Sequence, residues 1–261
     1  MAMTDRIWLQ SYPEGVPADV DMTQYTSLVA LMEESFKAFS SRTAYSFMGK
    51  EVTYGQTDSL SQAFAVYLQG LGLEKGDRVA LMMPNVPQYP VAVAAILRAG
   101  LVVVNINPLY TPRELEHQLK DAGAKAIVII ENFAATLEKC LTATPVKHVV
   151  LCAMGDQLGL LKGALVNYVV RHAKKMVPAY HLPGAVRFNE AVARGSRGTI
   201  KPVRLTPDDV AVLQYTGGTT GVSKGAVLLH RNVLANVLQA EAWNEPVMKQ
   251  VPANEQPTSV C

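Results

Sequence analysis

The most constraining feature is an almost unbroken run of apolar, mostly β-branched residues at positions 101–106. A run without polar alternation is typical of a strand buried on both faces, as in a parallel sheet covered by helices. Residues 111–114 then read Thr-Pro-Arg-Glu, which predicts a helix start with a threonine cap and a glutamate three residues later. Gly123 is the expected end of that helix. The pattern therefore predicts a buried strand followed directly by a helix.

The same alternation recurs along most of the chain. Further strands are predicted at residues 77–83, 125–130, 148–152 and 211–215, and helices at 27–40, 53–70, 89–99 and 133–141. A hairpin is expected at 43–53, and the polar first 26 residues are expected to form an arm. Strands and helices joined by short links form βαβ units. We therefore predict an α/β fold with a mostly parallel sheet and helices on both faces.

Residues 215–225 read Tyr-Thr-Gly-Gly-Thr-Thr-Gly-Val-Ser-Lys-Gly, between a predicted strand and a short apolar segment that leads into a helix. Glycines let a backbone approach a ligand closely, and hydroxyl and ammonium groups donate to phosphate oxygens. The segment therefore predicts a loop that binds a polyphosphate. The candidate binding residues are Thr216, Gly217, Gly218, Thr219, Thr220, Gly221 and Lys224.

Two common nucleotide loops do not fit this segment. The Walker loop ends in Gly-Lys-Ser/Thr, whereas here Ser223 precedes the lysine and Gly225 follows it. The dinucleotide pattern Gly-x-Gly-x-x-Gly fails because Gly217 and Gly218 are adjacent. An ordinary phosphate-loop NTPase is therefore disfavoured, and a glycine–threonine turn without a ligand is the other interpretation of the segment.

The segment closely resembles the signature of the adenylate-forming superfamily, which includes acyl-CoA synthetases. The match departs at Ser223, where the family most often has proline; we expect a looser loop there, with binding retained. Residues 97–126 resemble the family's core strand–helix segment, for which a packing role is expected. Four further segments resemble bacterial long-chain fatty acyl-CoA synthetases: residues 8–13, 81–90, 105–118 and 176–182.

The resemblance implies a chemistry. Family members activate a carboxylate with ATP to an acyl-AMP, release pyrophosphate, and then let the CoA thiol displace AMP. Thr219, Thr220 and the loop amides would hold the β- and γ-phosphates, Thr216 would assist Mg²⁺, and Lys224 would neutralise charge. The implied small molecules are ATP, Mg²⁺, CoA and a long-chain fatty acid. An enzyme for another carboxylate and an isolated nucleotide-binding module are the alternatives.

The family's adenine- and ribose-binding segments and its C-terminal domain with the catalytic lysine do not occur among these residues. We therefore expect an incomplete N-terminal domain, without a catalytic residue and inactive by itself. Its expected parts are 1–50 (arm and helix), 51–210 (α/β core), 211–240 (strand, loop and helix) and 241–261 (a truncated end). An exposed sheet edge would favour a homo-oligomer.

Composition limits the other function classes. Among 261 residues, 24 basic and 22 acidic side chains give a net charge of +2, so no nucleic-acid partner is expected. Three cysteines (Cys140, Cys152 and Cys261) are odd in number and not spaced like metal ligands, which indicates a reducing compartment. With no secretory signal at its start, the chain is expected in the cytoplasm.

Two features remain open at this stage. Residues 158–180 begin apolar and end basic, which is compatible with peripheral contact to an anionic membrane or with a packed helix that has a solvated basic end. The five histidines are scattered and are expected to be structural. His230, just after the loop, is the one worth testing as a site residue.

Overall fold

A seven-stranded sheet organises the molecule, as seen in a computed structural model that describes residues 6–216 and 223–252. The strands are β1 (Thr43–Phe47), β2 (Lys50–Thr53), β3 (Arg78–Met82), β4 (Val102–Asn105), β5 (Ala124–Ile130), β6 (His148–Cys152), β7 (Val186–Arg187), β8 (Val210–Thr216) and β9 (Lys224–Leu229). The helices are α1 (Leu28–Ala38), α2 (Tyr54–Gly70), α3 (Gln88–Arg98), α4 (Pro112–Ala122), α5 (Ala134–Glu138), α6 (Leu160–Tyr168), α7 (Phe188–Gly195) and α8 (His230–Met248).

The sheet has the strand order β7-β6-β5-β3-β4-β8-β9. Every neighbouring pair is parallel except β8 and β9, which form an antiparallel hairpin. Strands β1 and β2 form a separate hairpin. The predicted mostly parallel sheet is thus confirmed.

Apolar side chains alternate between two cores, one on each side of the sheet. The larger core lies under α1, α2, α3, α7 and α8, and the smaller one under α4 and α5. In β4, for example, Val103 faces the larger core and Val104 the smaller, and both are almost completely buried. Helices therefore cover both faces, as predicted, and the central strands are apolar on both sides.

Local signals set the helix ends. Thr111 and Glu114 form a capping box at the start of α4, and Gly123 ends that helix in the left-handed conformation with φ 61°. Thr53 and Gln56 form an equivalent box at the start of α2. These predicted boundaries are confirmed because each depends on residues only a few positions apart.

Some elements differ from the predictions. The helix predicted over 133–141 is limited to α5, with 3₁₀ turns before and after it. The apolar segment after the glycine-rich sequence is a strand, β9, and α8 extends past residue 240 to Met248. The arm contains a 3₁₀ helix, Ile7–Ser11, and both β7 and α7 were not predicted. The proposed division of the chain at residues 50, 210 and 240 stays a prediction.

Candidate functional site: the β8–β9 hairpin

The glycine- and threonine-rich sequence connects β8 to β9. Thr216 ends β8 and lies directly opposite Lys224, the first residue of β9, and both side chains are exposed. Because β8 is parallel to β4, Thr216 and Lys224 lie at the carboxyl edge of the sheet, where open α/β sheets bind ligands. The other predicted binding residues, Gly217, Gly218, Thr219, Thr220 and Gly221, lie outside the described residues.

Strand geometry places three polar residues on one face of the hairpin. Gln214 and Thr216 are two positions apart, so they project to the same side, and Lys224 is paired with Thr216. That side is the one covered by α3. The ends of β8 and β9 thus place one hydroxyl, one amide and one ammonium group on the same face of the hairpin.

Tyr215 points to the opposite face and anchors the hairpin to α4. Its hydroxyl donates to Asp121 Oδ2 at 2.5 Å, and burial together with this hydrogen bond raises the pKa of Tyr215. The ring lies across Gly225, where an added Cβ would approach to 2.9 Å. Glycine at position 225 therefore provides the space that the tyrosine ring occupies.

A row of hydrogen-bonded side chains supports the hairpin from the α3 side. The Tyr89 hydroxyl donates to Asn105 Oδ1 at 2.9 Å, and Asn105 Nδ2 donates to Gln214 Oε1 at 3.0 Å. From α4, on the other side of the sheet, Gln118 Nε2 donates to the Asn105 carbonyl oxygen at 2.8 Å. From the sequence, a packing role was expected for nearly every residue in the segment 97–126. The available signal was Asn105 itself, a polar residue that interrupts an apolar strand.

The chemistry of these groups fits a magnesium–phosphate ligand. Mg²⁺ prefers oxygen donors and usually takes few of them from the protein when phosphates supply others. The exposed Thr216 hydroxyl is one such donor. Within residues 6–216 and 223–252, no cluster of three His, Cys, Asp or Glu side chains forms a separate metal site.

His230 has a structural role. It is almost fully buried, and its Nδ1 accepts a hydrogen bond from the Leu28 backbone N–H at 3.2 Å, which joins α8 to α1. Burial lowers the pKa of His230, so the neutral imidazole is favoured. Cys140 and Cys152 are free and buried, and burial raises the pKa of Cys140 to about 11.

The fold and the hairpin define an α/β protein with a glycine-rich connection at the carboxyl edge of a parallel sheet, an arrangement used by many nucleotide-binding proteins. The family described as AMP-binding enzyme matches residues 32–259. The chain belongs to this family.

Individual relatives agree with this placement. A long-chain-fatty-acid–CoA ligase of Escherichia coli O157:H7 is 55% identical over 93% of the chain, and one of Bacillus subtilis (strain 168) is 36% identical over 90%. The crystal structure of a long-chain-fatty-acid–CoA ligase from Archaeoglobus fulgidus matches 88% of the chain with a TM-score of 0.68 at 25% identity. The chain spans 44% of the E. coli relative, 42% of the B. subtilis relative and 42% of the crystallised chain.

Proposed function

We propose that this chain forms the phosphate-binding part of an enzyme that activates long-chain fatty acids. In the first step the carboxylate oxygen bonds to the α-phosphorus of ATP, and the bond to pyrophosphate breaks. In the second step the CoA thiol attacks the acyl carbon, loses its proton and expels AMP. The observation that carries the proposal is the 55% identity to a long-chain ligase across the region that contains the hairpin.

The proposed roles follow from charge. Attack of a carboxylate on a triphosphate brings two anions together, so donors and cations must offset the repulsion. Lys224, the first residue of β9, supplies positive charge. Thr219 and Thr220 supply hydroxyl donors to the β- and γ-phosphates. The backbone amides of Gly217, Gly218 and Gly221 would donate further hydrogen bonds to the phosphates. Mg²⁺ held in part by Thr216 would neutralise phosphate charge when bound.

Binding of MgATP to the chain tests the phosphate site. We expect calorimetry to show binding that Lys224→Ala weakens at least about tenfold, because a charge-assisted contact contributes roughly 1.5–3 kcal/mol. Lys249→Ala is the matched control, since Lys249 is an exposed lysine paired with Glu245 at the end of α8. Equal affinity of the wild type and Lys224→Ala would argue against the phosphate role.

Substrate class separates the main proposal from its closest alternative. An adenylate-forming enzyme for another carboxylate would use the same hairpin, so ATP binding alone does not distinguish the two. The identity to named long-chain ligases favours a long acyl chain. A module that only binds nucleotide would show MgATP binding without acyl-AMP formation when joined to the rest of an active relative.

We also propose that residues 158–180 contact an anionic membrane surface on the cytoplasmic side. One face of α6 packs closely on the protein, because a Cβ added at Gly163 would clash with the Gly155 carbonyl oxygen. The opposite face is open: Leu161 is 89% exposed and Leu165 is 63% exposed. None of the helices in the described part of the chain is long and apolar enough to cross a bilayer.

Charge supports the same proposal. The sequence has no acidic residue between Asp156 and Glu190. Arg171 is paired with the buried Glu131, which fixes the end of this segment, whereas Lys174 and Lys175 are exposed. Exposed apolar side chains and lysines in one segment without acidic residues are the combination that favours anionic lipid surfaces. A fatty acid that partitions into the membrane would have a high local concentration at such a surface.

Self-association through β9 is a further part of the proposal. Strand β9 pairs with β8 on one side, and no other strand among the described residues covers its second edge. Val227 on this strand is 57% exposed. Open edges tend to pair with another chain. Light scattering should therefore show oligomers that Val227→Lys disperses, and a monomeric wild type at high concentration would contradict the proposal.

A further inference from the structure

We infer that Tyr89 and Asn105 are positioning residues that act through Gln214 to orient the end of β8, where the proposed phosphate-binding segment begins. The inference rests on the proposed function only in assigning phosphate to that segment. The three side chains come from α3, β4 and β8, and are linked by hydrogen bonds of 2.9 Å and 3.0 Å.

The Tyr215 carbonyl oxygen at the far end sets the direction of this row of hydrogen bonds, because it can only accept and so faces the Gln214 NH₂ group. An amide oxygen can only accept, so the Tyr89 hydroxyl must donate to Asn105 Oδ1. An amide nitrogen can only donate, so Asn105 Nδ2 must face Gln214 Oε1. The Gln214 NH₂ group lies at the far end, 3.4 Å from the Tyr215 carbonyl oxygen. This row of hydrogen bonds thus ends with the Gln214 NH₂ group at the carbonyl oxygen of Tyr215, the residue before Thr216.

The opposite face of the same strand end has its own anchor. Gln214 and Tyr215 are consecutive, so they project to opposite sides of the sheet. Gln214 is held by β4 and α3, and Tyr215 is held by Asp121 of α4. Contacts on both sides therefore restrain the end of β8 and the orientation of the peptide that leads to Thr216.

Packing alone does not account for Asn105. It lies at the end of a strand that is otherwise valine, and its neighbours Val104 and Ile106 are buried. A polar side chain at such a place reduces stability unless it is hydrogen-bonded, and an apolar residue would fill the space as well. Burial raises the pKa of Tyr89, which keeps its hydroxyl protonated as the first donor of the chain.

A double-mutant cycle on MgATP binding separates positioning from general loss of stability. Tyr89→Phe removes only the first donor, and we expect it to raise the dissociation constant about fivefold, the equivalent of one net hydrogen bond. In a Gln214→Met background the same change should have almost no further effect, because the link to β8 is already absent. Gln88→Met is the control. Gln88 is buried at the same sheet edge, but it donates to the Ala153 carbonyl at 2.8 Å instead.

A second readout needs no nucleotide. Hydrogen exchange of the Tyr215, Thr216 and Lys224 amides should accelerate in Tyr89→Phe and remain at the wild-type rate in Gln88→Met. Unchanged exchange, or fully additive effects of Tyr89→Phe and Gln214→Met on affinity, would overturn the inference. If the wild type does not bind MgATP, the phosphate proposal fails by itself, and the exchange result alone decides whether the positioning role stands.

Discussion

Residue 225 shows how one missing side chain shapes the candidate site. The Tyr215 ring lies 2.9 Å from the place where a Cβ of residue 225 would be, and in this position its hydroxyl donates to Asp121. The requirement for glycine here is one of space, since its backbone φ is not in the left-handed region. The sequence pattern marked Gly225 as part of a phosphate loop, whereas the structure gives it a packing role as well.

Substituting Gly225 with alanine should therefore destabilise the protein. We expect Gly225→Ala to lower the free energy of unfolding by about 1–3 kcal/mol, because the added methyl group displaces the tyrosine ring. Urea denaturation measures this difference. Gly70→Ala, in α2 with open space around it, is the control and should be neutral or stabilising. A Gly225→Ala variant as stable as the wild type would show that the ring has room to move.

His230 makes stability depend on pH. Burial lowers the pKa of His230 in the folded protein, while the nearby Asp209 and Lys75 act in opposite directions on it. Its contribution is present above the unfolded-state pKa of about 6.5 and is lost as the pH falls through the lower folded-state pKa. Chemical denaturation should show a fall in stability between about pH 7 and pH 5 that is smaller in His230→Gln. An identical pH slope in the two proteins would contradict this.

At the scale of elements, features that depend on neighbouring residues could be predicted from the sequence. Contacts between residues far apart in the sequence could not. The caps of α2 and α4 depend on residues three positions apart, so the sequence was sufficient to locate them. Strand β9 was expected only as an apolar segment, because a short apolar run does not distinguish strand from helix. The bond between Asn105 and Gln214 joins residues 109 positions apart, and only the register of β4 and β8 brings them together.

The segment containing α6 gives the prediction at this scale. In flotation with anionic vesicles, Lys174→Glu/Lys175→Glu should lower the partition coefficient at least about tenfold, since each lysine near a charged surface contributes about 1 kcal/mol. Lys139→Glu/Lys147→Glu makes the same charge change at other exposed lysines and should retain binding. Equal flotation of the two double variants would assign any binding to net charge and not to this segment.

At the scale of the whole molecule, the fold places the ends of β8 and β9 at the carboxyl edge of the sheet, the edge at which open α/β sheets bind ligands. The parallel strands direct their carboxyl ends to one edge, and the paired residues Thr216 and Lys224 lie at that edge. Fold class was predictable because alternating strands and helices form a local pattern, whereas the phosphate-binding role of the glycine-rich sequence stays a prediction. The supporting contacts of Tyr89 and Asp121 depend on three-dimensional packing, which the sequence pattern does not encode directly.

Oleate-dependent release of pyrophosphate from ATP is the most direct test of the central claim. The measurement uses a chimera in which this chain replaces the aligned segment of the E. coli O157:H7 relative, with benzoate as the control carboxylate. We predict release that requires oleate and falls at least about a hundredfold with Lys224→Ala, as for loss of one preorganised donor to the transition state. Release that proceeds equally well with benzoate, or that is unaffected by Lys224→Ala, would contradict the account.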